Sequence, residues 1–214
     1  ATRAATTSSL GFTGSMATPM LASWSVTTSR TPRDRTEELE HASLSGWATL
    51  SAETKGREQH EPADPLRSTF QVDVHRILAS TAFGRLKDKS HVLLAPGGDG
   101  YRSRIDHTLF GSRIARTISR ALRLNEDLTE AIALGRDLGA AAFARAGDEA
   151  FGLFTEEPFR HNHQSVRVVE LIEEEGQGLN LCWEVRDGIA THTMAAEMPA
   201  TREGEVVRLA DRIA

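Results

Sequence analysis

Three side chains suited to gripping a divalent cation, His107, Asp137 and Asp211, fall in three separate helical stretches of the chain. One imidazole and two carboxylates make a mixed nitrogen and oxygen donor set of the kind that divalent metals accept. His107 opens a helical run directly after "GYRSRID", where two arginines stand beside a glycine loop. Asp137 lies one helix later, in "IALGRDLGAAAFARAGDEAF". Asp211 lies in the last, "GEVVRLADRIA", between Leu209 and Ile213, which places its carboxylate close to a buried face. A charge there is costly unless a partner or a metal meets it. Spacing alone does not select this trio. Eight histidines occur, at 41, 60, 75, 91, 107, 161, 163 and 192, and a lone helical histidine is more often structural or solvated than catalytic. Arg136 raises a sharper question. It sits beside Asp137 in the middle of an Ala- and Gly-rich segment expected to be helical, yet a guanidinium stays protonated and cannot ligate a cation.

The elements that must position these residues read as helices almost throughout. Phe70, Val74, Ile77 and Leu78 share one face at helical spacing. A second helix is expected from about Asp106 to Leu122, with Leu109, Ile114, Ile118 and Leu122 as its apolar stripe. After Asn125, Leu128, Ile132 and Leu138 carry a third helix up to Gly139. A fourth begins near His161, with Val166, Val169 and Ile172 inward and Glu173, Glu174 and Glu175 outward until Gly176. "WEVRDGIATHT" and "GEVVRLADRIA" supply two more. Prolines and glycines make a loop of "KGREQHEPADPLRSTF", and Pro96, Gly97, Gly98 and Gly100 make another. No strand pairing and no repeat is evident. The expected fold class is all-α, a multi-helix domain packed compactly from about Pro65 onward.

Composition narrows the function classes. With 39% hydrophobic and 26% charged residues the 214-residue chain is an ordinary globular sequence. A formal net charge of -5 gives no support to nucleic-acid binding. No apolar run approaches the length of a membrane span. The single cysteine, Cys182, excludes an internal disulfide and any Cys-rich zinc site, so a reducing, cytoplasmic compartment fits. Residues 1–33 have no acidic residue and many Ser, Thr and Ala. They read as a flexible leader ahead of a domain spanning 34–214, and their composition overlaps an organellar transit peptide, which leaves an organelle as the alternative location.

The run from "RSTFQVDVHRILASTAFGRLKDKSHVLLAPGGDGYRSRIDHTLF" to "NEDLTEAIALGRDLG", with "FRHNHQSVRVVE", "GLNLCWEVRDGIATHT" and "GEVVRLADRIA" following in order, resembles the HD-domain deoxynucleoside triphosphate triphosphohydrolases of bacteria. The resemblance covers roughly 35–214. It implies a helical HD-domain bundle and hydrolysis of a dNTP to deoxynucleoside and intact triphosphate. It also implies a divalent cation (Mg or Mn, or another transition metal), here held by His107, Asp137 and Asp211, with the fourth ligand position at Arg136. His161 and Asn162 match the segment that supplies a catalytic histidine. Gln71, Arg76, Tyr101 and Arg104 match substrate contacts, and Arg67 and Lys87 fall in motifs near the substrate. The family continues beyond the position of Ala214 into a helical region that completes pocket and oligomer, so a homo-oligomer, or a hetero-oligomer with a homologue, is expected.

The departures bear on activity. Where the family reads His-Asp-Leu-Gly-His-x-Pro-Phe-Gly-His-Ala-Gly-Glu, this chain reads "RDLGAAAFARAGD". Arg136, Ala140 and Arg145 stand in place of histidines, and Ala142 and Ala144 in place of Pro and Gly. Family arginines are Val72, Val74 and Gly84, and a family histidine is Asp88. Two expectations follow. One is a dGTPase-like hydrolase of impaired activity whose metal binding is doubtful, with Arg136 replacing the ion electrostatically or swinging out to solvent. The other is a non-catalytic nucleotide-binding protein or regulatory subunit of an active homologue. His163 is an additional candidate ligand or a solvated helix residue.

Overall fold

The structure, a computed structural model, describes residues 30–91, 102–155 and 158–214. Most of the leader expected at 1–33, the glycine loop and Tyr101 therefore lie outside the described residues. The chain is all-α: the only strand-like pairing among the described residues is an isolated bridge between Ser90 and Ser103.

The first helix, α1 (Pro32–Ser43), starts on a capping box in which Thr31 and Asp34 satisfy each other's backbone N–H groups, with Pro32 at the first turn. Next come α2 (Thr69–Ala79) and α3 (Thr81–Arg85). Helix α4 (Arg104–Leu122) opens on a Ser103–Asp106 capping box, and α5 (Glu126–Gly135) on the Asn125 side chain. After α6 (Ala144–Gly152) and α7 (His161–Arg167), a π-turn at Val168–Ile172 leads into the short α8 (Glu173–Gly176). Helices α9 (Trp183–Thr191) and α10 (Arg202–Ala210) complete the fold. Helix α5 is the hub. Leu128 to Gly135 are buried except Glu130, and α2, α4, α9 and α10 pack around them. Phe70, Ile77, Leu86, Leu181, Val185, Ile189 and Val207 close the core.

Packing does not begin at Pro65 as the pattern suggested. The stretch before α2 is pinned by buried carboxylates, each accepting bonds that leave no backbone donor stranded. Glu203 of α10 accepts from the backbone N–H of Thr49 and of Asn125, each at 3.0 Å. Glu40 accepts the N–H and hydroxyl of Ser51 at 2.7 Å, and Glu184 accepts the Lys55 N–H at 2.7 Å.

Four local expectations need correction. On α2, Phe70 and Ile77 are buried but Leu78 faces outward. On α4, Leu109 and Leu122 are exposed, and the buried face is His107, Thr108, Gly111, Ser112, Ala115 and Ser119. Small residues let α4 approach α5 closely, and the Ser119 and Thr129 hydroxyls bond across that seam at 2.7 Å. The third helix stops at Gly135, so Arg136 and Asp137 lie in a turn and not in mid-helix. Beyond α7 the π-turn rotates the face, leaving Ile172 exposed and Glu173 buried, where Glu173 caps the N–H groups of Thr81 and Ala82. Glu174 and Glu175, both at positive φ, then end the helix.

Candidate functional site

The turn after α5 is held open by α7. The Ser165 hydroxyl donates to the Arg136 carbonyl at 2.7 Å and accepts the Gly139 N–H at 2.9 Å, taking over groups that a continuing helix would have satisfied. A Cβ on Gly139 would lie 2.2 Å from the Ser165 backbone nitrogen, so only glycine permits this contact. The turn thereby projects Arg136 toward α4 and α10.

Arg136 is fully buried. Its Nε lies 3.3 Å from Asp137 Oδ2 and its Nη2 lies 3.0 Å from Asp211 Oδ1. Both contacts are close enough for ion pairing, but neither N–H is aligned for a hydrogen bond. The remaining Nη1 donates to the Ala133 carbonyl at 3.4 Å, in the last turn of α5, where the helix dipole favours a cation. His107 Nε2 meets Asp211 Oδ1 at 3.3 Å. Asp137 also accepts from the Thr108 hydroxyl at 3.0 Å and pairs with Arg104 Nη1 at 3.4 Å. His107, Asp137 and Asp211 thus converge, with a guanidinium between the two carboxylates. Leu209 and Ile213, which flank Asp211 in sequence, are both exposed.

Electrostatics follow from this grouping. Burial pushes both carboxyls up, but facing charges win. Arg136 and Arg104 hold Asp137 below the usual carboxylate range, and His107 and Arg136 do the same for Asp211. Two guanidiniums already face two carboxylates. A divalent cation bound there would have to displace Arg136 and would meet its positive charge. Among the described residues, no group of three His, Cys, Asp or Glu side chains is arranged to hold a metal ion. The donor set in this arrangement does not fit the divalent cation that the sequence resemblance implies.

Beside the cluster lies a cavity of about 360 Å³ lined by His91, Arg104, Asp137, Phe143, Arg145, Asp148 and His161, among others. His161 is bracketed: its Nδ1 lies 3.2 Å from Asp148 Oδ2 and its Nε2 lies 3.2 Å from His192 Nε2. His91 stacks on His107 with ring centroids 3.9 Å apart, and burial pushes its imidazole down to about 4. Lys89 donates to the Leu138 and Ala140 carbonyls, tying the same turn from the other side. Arg145 points outward onto Glu149.

Other sequence-selected residues lie elsewhere. Asn162 donates to the Ala190 carbonyl at 2.6 Å and fastens α7 to α9. Gln71 accepts the Ser68 N–H as the α2 cap and its side chain bonds Asp127, at the opposite end of α5 from Arg136, about 13 Å away by helical rise. Arg76 donates to the Leu179 and Asn180 carbonyls and pairs with Glu61. It lines a larger cleft of about 550 Å³, shared with Arg33, Arg57 and Arg67. Those four arginines are each matched by a carboxylate, and none of the cluster residues lines that cleft. Lys87 and His163 are exposed. Sequence reasoning did not single out Asp148, His192, Lys89 or Gly111. Only Gly111 carried a local signal, as a glycine inside a helical pattern.

The HD domain family matches residues 104–214, the part of the chain that contains the whole cluster. Three curated relatives share one printed name, deoxyguanosinetriphosphate triphosphohydrolase-like protein. The relative from Caldanaerobacter subterraneus subsp. tengcongensis is 52% identical over 182 residues, covering 85% of this chain and 53% of the relative. That from Desulfatibacillum aliphaticivorans is 49% identical over 193 residues, covering 86% and 55%. That from Clostridium perfringens strain SM101 is 49% identical over 185 residues, covering 85% and 54%. The chain spans about half the length of these relatives. No described helix is long and apolar enough to cross a membrane.

Proposed function

The chain belongs to the HD-domain family of deoxyguanosinetriphosphate triphosphohydrolase-like proteins, and from that premise we propose that its site receives a deoxynucleoside triphosphate and hydrolyses it far below the rate of a site with an intact metal set. The observation behind this reading is the Arg136 guanidinium lying between Asp137 and Asp211. Hydrolysis to deoxynucleoside and triphosphate needs water to attack the α-phosphorus and charge on the phosphate oxygens to be offset. Arg104, which lines the cavity beside Asp137, is placed for a charge-assisted contact to phosphate. His161, held by Asp148 and His192, is an imidazole at the cavity wall able to pass a proton. Ala140 and Arg145 supply neither an imidazole donor nor a proton carrier. A reducing, cytoplasmic setting and self-association accompany the reading.

The test is metal analysis of the purified full-length protein together with triphosphate release across a dNTP panel. Substoichiometric metal and very slow release are expected. Arg136→His should recover metal with little turnover, and adding Ala140→His and Arg145→His should raise turnover further. Stoichiometric metal with strong hydrolysis in the unaltered protein would overturn the reading. The second reading, a non-catalytic nucleotide-binding or regulatory subunit of an active homologue, is favoured by a cavity that persists beside the altered motif. Saturable dNTP binding without triphosphate release, or faster turnover by a homologue on mixing, selects it.

A further inference from the structure

Gly111 stands in the middle of α4, eighth of its 19 residues, where glycine weakens a helix relative to alanine. Neither a turn nor a positive φ requires it. What a Cβ at 111 would meet is specific. The three nearest atoms all belong to the Arg136 guanidinium: Nη2 at 2.6 Å, Nη1 at 2.9 Å and Cζ at 3.1 Å. The distal end of an arginine side chain ordinarily moves aside. This one is fully buried, within ion-pair distance of Asp137 and Asp211 and with Nη1 bonded to the Ala133 carbonyl, so moving it would break those contacts.

We infer that Gly111, Asp137, Asp211 and the Ala133 carbonyl form a receptor for a planar monovalent guanidinium, filled from within by Arg136. Gly111 is the positioning residue that makes room for it. The glycine leaves a flat space against the α4 backbone, the carboxylates supply charge on two sides, and the end of α5 supplies a carbonyl. Shape and charge together select a flat, weakly hydrated cation over a compact divalent ion that requires ligand lone pairs. The inference concerns the same site as the proposed function but not its turnover. Stability is the readout, so slow or fast hydrolysis leaves it untouched.

The experiment is a double-mutant cycle on the full-length protein, read as thermal midpoint, combined with rescue by guanidinium chloride at low millimolar concentration. Gly111→Ala alone should lower the midpoint by several degrees, because the methyl group expels the guanidinium. In an Arg136→Ala background the same change should raise the midpoint, because only the better helix propensity of alanine remains. Guanidinium should raise the midpoint of Arg136→Ala saturably, while equal NaCl, MgCl2 or MnCl2 does not. The rescue should vanish in the Gly111→Ala/Arg136→Ala protein. Should Arg136→Ala fail to fold, Arg136→Met, which fills the space without a charge, gives the same cycle, with a smaller penalty for Gly111→Ala than in the parent. An equal penalty in both backgrounds, or rescue by Mn2+ as effective as by guanidinium, would overturn the inference.

Discussion

The Nε2 atoms of His161 and His192 face each other at 3.2 Å, and His192 Nδ1 meets the Ile189 carbonyl at 2.8 Å. A carbonyl only accepts, so Nδ1 of His192 carries the hydrogen. In its neutral form His192 then offers Nε2 as an acceptor, and the shared hydrogen belongs to His161. Burial pushes the His192 imidazole down to about 4, against the pull of the Ile189 carbonyl and Asp137. In the unfolded chain its ordinary value is near 6.5. Between those values the unfolded state binds more protons. The stability contributed by neutral His192 is therefore complete above about 6.5 and is lost as pH falls toward 4, by about 3 kcal/mol in all. Asparagine at 192 keeps a donor for Ile189 but cannot titrate. His192→Asn should flatten the loss of stability between pH 6.5 and 4 relative to the parent, measured by urea unfolding across that range. Parallel profiles would refute the assignment.

A Cβ at position 139 would meet the backbone of Gln164 and Ser165, not a side chain that can rotate away. Gly139→Ala should cost roughly 1–3 kcal/mol in denaturant unfolding, the range for forced overpacking. A change below about 0.5 kcal/mol, the size of a typical surface substitution, would show that α7 yields there.

Ala144, at the first position of α6, has φ of 50°, in the left-handed region that an L side chain disfavours. The family motif has glycine at this position. Ala144→Gly should raise stability by about 1 kcal/mol. Its effect would appear as a higher urea midpoint with unchanged slope. A lower midpoint would mean that the buried methyl group contributes more than the backbone loses.

Glu203 accepts two backbone N–H groups and the Thr49 hydroxyl while wholly buried. Glu203→Ala strands both N–H donors and should cost about 2–4 kcal/mol. Glu203→Gln keeps one acceptor oxygen and should fall between the alanine variant and the parent. Hydrogen exchange at the Thr49 and Asn125 amides is the local check, and both should accelerate most in the alanine variant.

The sequence by itself determined that the chain is helical and where most helices start, because capping and periodicity are local. Ser103 with Asp106, and Asn125 before an apolar run, satisfy the first N–H groups of α4 and α5 within a few residues. The grouping of His107, Asp137 and Asp211, and Arg136 as the anomaly among them, came from the resemblance of several ordered stretches to the HD-domain family, since spacing alone does not select the trio. Tertiary structure alone decided which face of α4 is buried, since close approach to α5 favours Gly111 and Ser112 over Leu109 and Leu122. It ended α5 at Gly135, since the hydroxyl that replaces the next helical bonds comes from Ser165, on α7. The guanidinium's place between Asp137 and Asp211 was likewise beyond the sequence. Arginine can reach solvent or a carboxylate equally well along a chain, and only the packing of α4, α5 and α10 closes the first route and leaves the second.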